Sequence, residues 1–87
     1  CGVIQLTKSL ALTHAPYVRV CCIAPGYTNT ELTNYTPEKR AEKERSVPLG
    51  RINEPEDVSR LAVFLASDAA KNMTGNIIPI DSGTHLL

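Results

Sequence analysis

Apolar residues at Val3, Leu6 and Leu10, with Ile4 and Ala11 beside them, recur at helical spacing and predict a helix from Gly2 to about His14. Pro16 ends it, because a proline ring disfavours helical geometry in the residue before it. Val18 to Ala24 is short, β-branched and nearly all apolar from Val20 onward, the pattern of a strand covered on both faces. Pro25-Gly26 closes that strand. Residues 26 to 54 are polar and irregular except where Thr36-Pro37-Glu38 supplies an N-cap, a proline at the first helical position and an acidic first turn. Glu54-Pro55-Glu56-Asp57 opens a further helix, whose Val58, Leu61, Ala62 and Leu65 fall at i, i+3, i+4 and i+7. Beyond Gly75, Ile77-Ile78-Pro79-Ile80 reads as a second strand. Pro79 donates no ladder hydrogen bond and so places this strand at a sheet edge.

The second half is therefore a strand-helix-strand unit, expected to be parallel and right-handed. Parallel sheets bury both faces under helices and use more than two strands. Only two strands are present in this pattern, so residues 1–87 are expected to form part of a larger α/β domain.

Charge and composition narrow the function classes. Nine basic residues balance nine acidic ones, leaving no broad field for nucleic acid or anionic membrane. The cluster from Glu38 to Arg45 alternates in sign, as a solvated helix face does. No apolar run reaches the roughly 20 residues of a membrane span, and the first twelve residues lack the features of a secretory signal. A cytoplasmic location is expected on that basis, and the start without methionine hints at truncation. Cys1, Cys21 and Cys22 make an odd count, and neighbours on a strand point to opposite faces, so reduced thiols are expected. The N-x-T matches at Asn34 and Asn72 are read as chance.

Ligands of open parallel sheets bind at the C-terminal ends of strands. The first strand ends in Ala24-Pro25-Gly26-Tyr27-Thr28-Asn29-Thr30, where proline stiffens the turn, glycine permits close approach, and the Thr28 and Thr30 hydroxyls can bond an amide or phosphate. On these residues alone a plain Pro-Gly turn is the stronger reading.

Three longer blocks shift that weighting. RVCCIAPGYTNTEL, PLGRINEPEDVSRLAVFLASD and TGNIIPIDSG, in this order and spacing, closely resemble the C-terminal third of the short-chain dehydrogenase/reductase family, from residue 2 to about residue 84. GVIQLTKSLAL resembles the continuation of the family's helix that begins with a YxxxK pair, which would lie just before Cys1. The resemblance implies the C-terminal part of a Rossmann-type doubly wound parallel sheet: helix, strand, lid helix, helix, edge strand. It implies a substrate-lid region at 27–54, its mobile part at 31 to 52. It further implies NAD or NADP as cofactor, with Pro25, Gly26 and Tyr27 lining the nicotinamide pocket through backbone groups. Thr28 and Thr30 become candidates for the carboxamide and a nearby phosphate, Thr30 at the more regular family position. The intact protein would be an oxidoreductase acting on a small alcohol or ketone, assembled as a homo-dimer or tetramer, with its first helix and last strand at subunit contacts. Two positions depart from the family pattern: Cys21 replaces an asparagine and Ser82 a glycine, the latter costly if the turn needs positive φ.

Other residues invite roles that the pattern does not support. Tyr35 to Lys39 spells YxxxK, but Pro37 leaves Tyr35 ahead of its helix, so neither residue is assigned to catalysis. His14 and His85 lack metal-ligand spacing; no metal and no catalytic residue is assigned. Arg51 and Glu54 could close the lid, a surface pair being at least as natural. Cys22 is expected to be inert packing and Asp81 a loop cap. The 87-residue chain alone is expected to be inactive. The rival reading is a non-catalytic interaction or oligomerisation piece docking through the first helix.

Overall fold

A computed structural model describes residues 2–87; Cys1 lies outside them. The order is α1 (Gly2–His14), β1 (Cys22–Pro25), α2 (Pro37–Ser46), α3 (Pro55–Ala66), a short 3-10 turn (Asp68–Ala70), β2 (Ile77–Ile80) and a final 3-10 turn (Thr84–Leu86). β1 and β2 pair in parallel, Cys22 against Ile77 through Pro25 against Ile80. This is an α/β arrangement of the Rossmann type, in the order that the hydrophobic pattern predicts.

The helices begin where their capping chemistry lies. Thr36 Oγ1 accepts from the Lys39 amide at 3.2 Å ahead of α2. Asp57 Oδ2 accepts from the Glu54 amide at 2.8 Å, satisfying one donor at the start of α3. α1 packs inward through a face other than its main apolar stripe. Thr7 and Ala11 are buried, whereas Val3, Leu6 and Leu10 stand exposed. Thr7 is tolerated inside because its hydroxyl donates to Val3 O at 2.7 Å, one turn back. Along α3, Leu65 is buried and Val58 and Leu61 half-buried. Ala62 stays exposed beside a groove shared with Cys21 and Ile23.

β1 is shorter than the apolar run that announced it. Pairing starts at Cys22 because its partner strand starts at Ile77. Ahead of it the chain is held by Val20, whose amide donates to Thr74 Oγ1 at 3.0 Å and whose carbonyl accepts from Gly75 at 2.7 Å. The strand was expected to be covered on both faces, yet Cys22, Ile23 and Ala24 are only half-buried. α1 and α3 both pack against β1, and among the described residues no third strand pairs with it.

The buried apolar set is correspondingly thin: Ala11, Val47, Ile52, Leu65 and Ala70. The Cα radius of gyration is 15.1 Å and the extents are 47 × 24 × 22 Å, against about 12 Å expected of a compact domain this long. The shape is elongated, with apolar side chains left outside. Among the described residues no helix is long and apolar enough to cross a membrane.

Candidate functional site

The corner after β1 is built by continuing the ladder on one side while freeing the other. The Gly26 amide donates to Ile80 O at 3.0 Å, Asn53 N–H donates to Tyr27 O at 2.9 Å, and Asn29 N–H donates to Asn53 O at 2.8 Å. Asn53 thus brackets Thr28 in an isolated parallel bridge. Because backbone groups alternate along an extended strip, the Thr28 N–H is directed away from Asn53. Among the described residues, neither the Tyr27 nor the Thr28 amide is taken by another backbone carbonyl. Pro25 is exposed and Tyr27 is 38% exposed. The corner is therefore exposed, with the Thr28 amide directed away from Asn53.

The two threonines differ, a distinction the sequence did not reveal. The Thr28 hydroxyl donates inward to Gly26 O at 3.0 Å. Thr30 Oγ1 accepts from the Thr33 amide at 3.1 Å, while Thr33 Oγ1 accepts from the Thr30 amide at 2.8 Å and can donate to Thr28 O at 3.0 Å. Thr30 Oγ1 also lies 3.2 Å from Thr33 Oγ1, so its proton can be held within this turn or given to an outside acceptor.

Gly26 was expected to allow a ligand close to the backbone. The structure gives it an internal reason as well: a Cβ at this position would lie 2.7 Å from Asp81 Cβ and 2.8 Å from Asp81 Cα. The first residue after β2 therefore occupies the space that a side chain would need.

α2 lies over the same corner. Lys43 Nζ sits 4.6 Å from the Tyr27 ring centroid, a cation–π approach. Arg40 Nη2 bonds Glu54 Oε1 at 2.7 Å and Arg40 Nε bonds Glu44 Oε1 at 3.1 Å. These two carboxylates hold the Arg40 guanidinium above its ordinary range, the Glu54 hydrogen bond first. Glu54 is thus paired with Arg40 rather than Arg51, the partner considered from sequence. Tyr35 precedes α2, as expected of a chance YxxxK match.

Asp81 is the loop cap that its position suggested. Its carboxylate accepts from the Gly83 amide at 3.1 Å, the His85 amide at 3.1 Å and His85 Nδ1 at 2.9 Å. Ser82 adopts φ of 56° and Gly83 φ of 92°, so the turn does need the left-handed region. The strain at Ser82, about 1–2 kcal/mol for a residue with a side chain, is offset by its hydroxyl donating to Arg51 O at 2.5 Å. Cys21 Sγ lies 3.8 Å from Met73 O. Arg19 Nη1 donates to that same carbonyl at 3.3 Å, so an arginine ties these loops where the family's asparagine is missing. Cys21 and Cys22 are free thiols, and no metal-binding cluster occurs among the described residues.

The Asp81 clip sets a pH dependence. The hydrogen bond from His85 holds the carboxyl below its ordinary value of 3.8, helped by the Gly83 amide and opposed by burial. A depressed folded value means that the stabilisation is present above 3.8 and is lost as pH falls through the lower folded value. Protection of the Gly83 and His85 amides, relative to their intrinsic exchange rates, is expected to hold at neutral pH and to fall on that acidic side. Asp81→Asn should abolish the acid-side transition; an unchanged transition in the variant would assign it to another group.

Comparison with known proteins places these features. A family model described as enoyl-(acyl carrier protein) reductase matches residues 1–85. The chain is 44% identical over 84 residues to the 3-oxoacyl-[acyl-carrier-protein] reductase FabG of Chlamydia pneumoniae, covering 94% of this chain and 34% of that protein. It is 45% identical over 89 residues to 3beta-hydroxysteroid dehydrogenase 1 of Eggerthella lenta, covering 98% and 34% respectively. A solved short chain dehydrogenase family protein from Francisella tularensis superposes with a TM-score of 0.89 at 36% identity, covering 99% of this chain and 41% of that one. The chain spans about a third of the length of the curated relatives that it matches. With nearly the whole length matched and the parallel β1–β2 fold superposed, the chain belongs to the short-chain dehydrogenase/reductase family.

Proposed function

We propose that this chain supplies the C-terminal part of an NAD(P)-dependent oxidoreductase acting on an alcohol or carbonyl substrate. Residues 27–54 form its lid region, and a catalytic tyrosine and lysine are contributed by sequence preceding Cys1. The supporting observation is the donor set at the end of β1: the Thr28 amide directed away from Asn53, the Tyr27 amide that no backbone carbonyl takes, and the Thr30 hydroxyl, all beside an exposed Pro25. This donor set fits the carbonyl oxygen of a nicotinamide carboxamide and the several acceptor oxygens of an adjoining phosphate. When bound, the nicotinamide supplies the hydride donor or acceptor. Pro25, Gly26 and Tyr27 then give the pocket a rigid backbone wall. The Thr28 amide orients the carboxamide, and Thr30 donates to phosphate. Lys43 and Arg40 hold α2 over the corner, which shields the pocket from water.

The relatives named above act on chemically unlike substrates, so the substrate class is carried only as far as alcohol or carbonyl. The exposed Val3, Leu6 and Leu10 on α1 fit a homo-oligomeric contact in the intact protein. They also motivate the rival reading, a non-catalytic docking piece. Sequence upstream of Cys1 separates the two: lysine shortly before Cys1 with tyrosine four residues earlier supports the enzyme.

The functional test uses that intact polypeptide. NAD(P)H titration followed by fluorescence is expected to show saturable binding, and Thr30→Ala should weaken it about tenfold or more, the worth of a hydrogen bond to a charged group. Thr28→Ala should change it little, because that hydroxyl is turned inward. The purified 87-residue chain is expected to show no turnover. Turnover by that chain, or equal effects of the two threonine substitutions, would sink this reading.

A further inference from the structure

We infer that Asn53 is a positioning residue for the cofactor-facing corner, fastening the Tyr27–Asn29 strip to the end of β2 through its side chain. This rests on the cofactor reading above.

Asn53 is only 6% exposed, one of two buried polar residues among those described. Its backbone takes Tyr27 O and Asn29 N–H, as described above. Its side chain does something independent of these: Nδ2 donates to Ile80 O at 2.6 Å. That carbonyl is the same one that accepts the Gly26 amide. Three segments distant in sequence therefore meet at one side chain: the corner after β1, the exit of the lid region, and the last residue of β2.

The consequence is directional. Thr28 lies between the two bonds to Asn53, so the plane of its peptide is set by where Asn53 sits. Asn53 in turn is fixed along the strand direction by the Nδ2–Ile80 bond. Without that bond the 51–54 segment keeps its backbone pairing and the Ser82 bond at Arg51, but Asn53 itself loses its direct anchor on β2. The Thr28 amide can then swing relative to Gly26, whose own position is fixed by Asp81. A nicotinamide held by that amide would be displaced with it, and sub-ångström misplacement is costly to hydride transfer. Asn53 touches no cofactor atom in this account and acts through Thr28.

The test uses the intact oxidoreductase and two variants that cannot reach Ile80 O, Asn53→Ala and Asn53→Ser. NAD(P)H affinity is titrated well below the unfolding temperature. A three- to tenfold rise in Kd is expected, the range for losing one buried hydrogen bond, with the number of binding sites per chain unchanged. A role confined to stability would instead reduce the number of sites and leave Kd alone. Wild-type affinity and kcat in either folded variant would overturn the inference while leaving the cofactor reading intact. Absence of NAD(P)H binding by the unaltered protein would overturn both. A measurement that needs no variant completes the set: the Asn53 side-chain amide and the Asn29 backbone amide should shift during NAD(P)H titration with the Kd read at Thr30. Resonances that stay still would count against the inference.

Discussion

Gly26→Val is expected to cost the intact protein about 3 kcal/mol of stability, near the upper end for overpacking, and to abolish cofactor binding at the corner. The new Cβ would lie 2.7 and 2.8 Å from Asp81 Cβ and Cα, inside any real contact distance. The obstacle is largely backbone, so no rotamer change relieves it. Asp81 cannot retreat cheaply either, since its carboxylate is committed to Gly83 and His85 and its own carbonyl accepts from Thr84 at 3.1 Å. The corner must yield instead, and Gly26 N–H would move off Ile80 O. Gly26→Ala carries the same first clash and should already lose most of the stability, with valine adding the rest. Chemical denaturation together with NAD(P)H titration checks both parts. A Gly26→Ala variant as stable as the unaltered protein would show that β2 and the corner are not in the register described.

The contrast between this glycine and its neighbours shows what the sequence could and could not reveal. Local signals were legible: Pro16 ending α1, the Thr36 cap, the Asp57 carboxylate at the start of α3, the Asp81 cap and the positive φ required at Ser82. Each depends on residues within a few positions, where the chain's own geometry fixes who can meet. Parallel pairing of the two strands was legible too, because the intervening helices leave little choice of topology. Strand length was not, because β1 is only as long as the partner it finds, and that partner begins at Ile77. The packed side of α1 was not legible for a related reason. A stripe of Val3, Leu6 and Leu10 marks apolar character but not which flank has something to pack on, and Thr7 hid its polarity by bonding backward. Nor could spacing show that Thr28 turns inward while Thr30 is laced to Thr33, or that Glu54 selects Arg40 over Arg51. Asn53 carried no signal at all, being one amide side chain in a polar stretch, and its meaning arises only when Ile80 arrives from 27 positions away.

Arg19 is the most consequential residue of that hidden kind, and Arg19→Met should destabilise the intact protein by about 2–3 kcal/mol, the loss of charge-assisted bonds to part-buried carbonyls. Its guanidinium donates to Leu65 O at 2.7 Å, to Ser67 O at 3.4 Å and to Met73 O at 3.3 Å. Leu65 is buried and lies in the last turn of α3, a turn with no basic residue of its own. Helix C-termini leave carbonyls without intrahelical partners and favour positive charge nearby. Here that charge comes from a residue 46 positions earlier in the chain. The same fork reaches the loop that leads into β2, so it fixes α3 and the approach to β2 relative to β1 at once. Methionine preserves the apolar stem while removing every donor, which isolates the guanidinium from packing effects. Arg19→Lys keeps the charge but offers a single point of attachment where the fork makes several, and it should recover roughly half of the loss. Denaturation midpoints of the two variants give the comparison. If methionine falls within 0.5 kcal/mol of arginine, the carbonyls are satisfied by water and α3 holds its place by packing alone. Lysine as damaging as methionine would instead show that fork geometry, rather than charge at the helix end, carries the stabilisation.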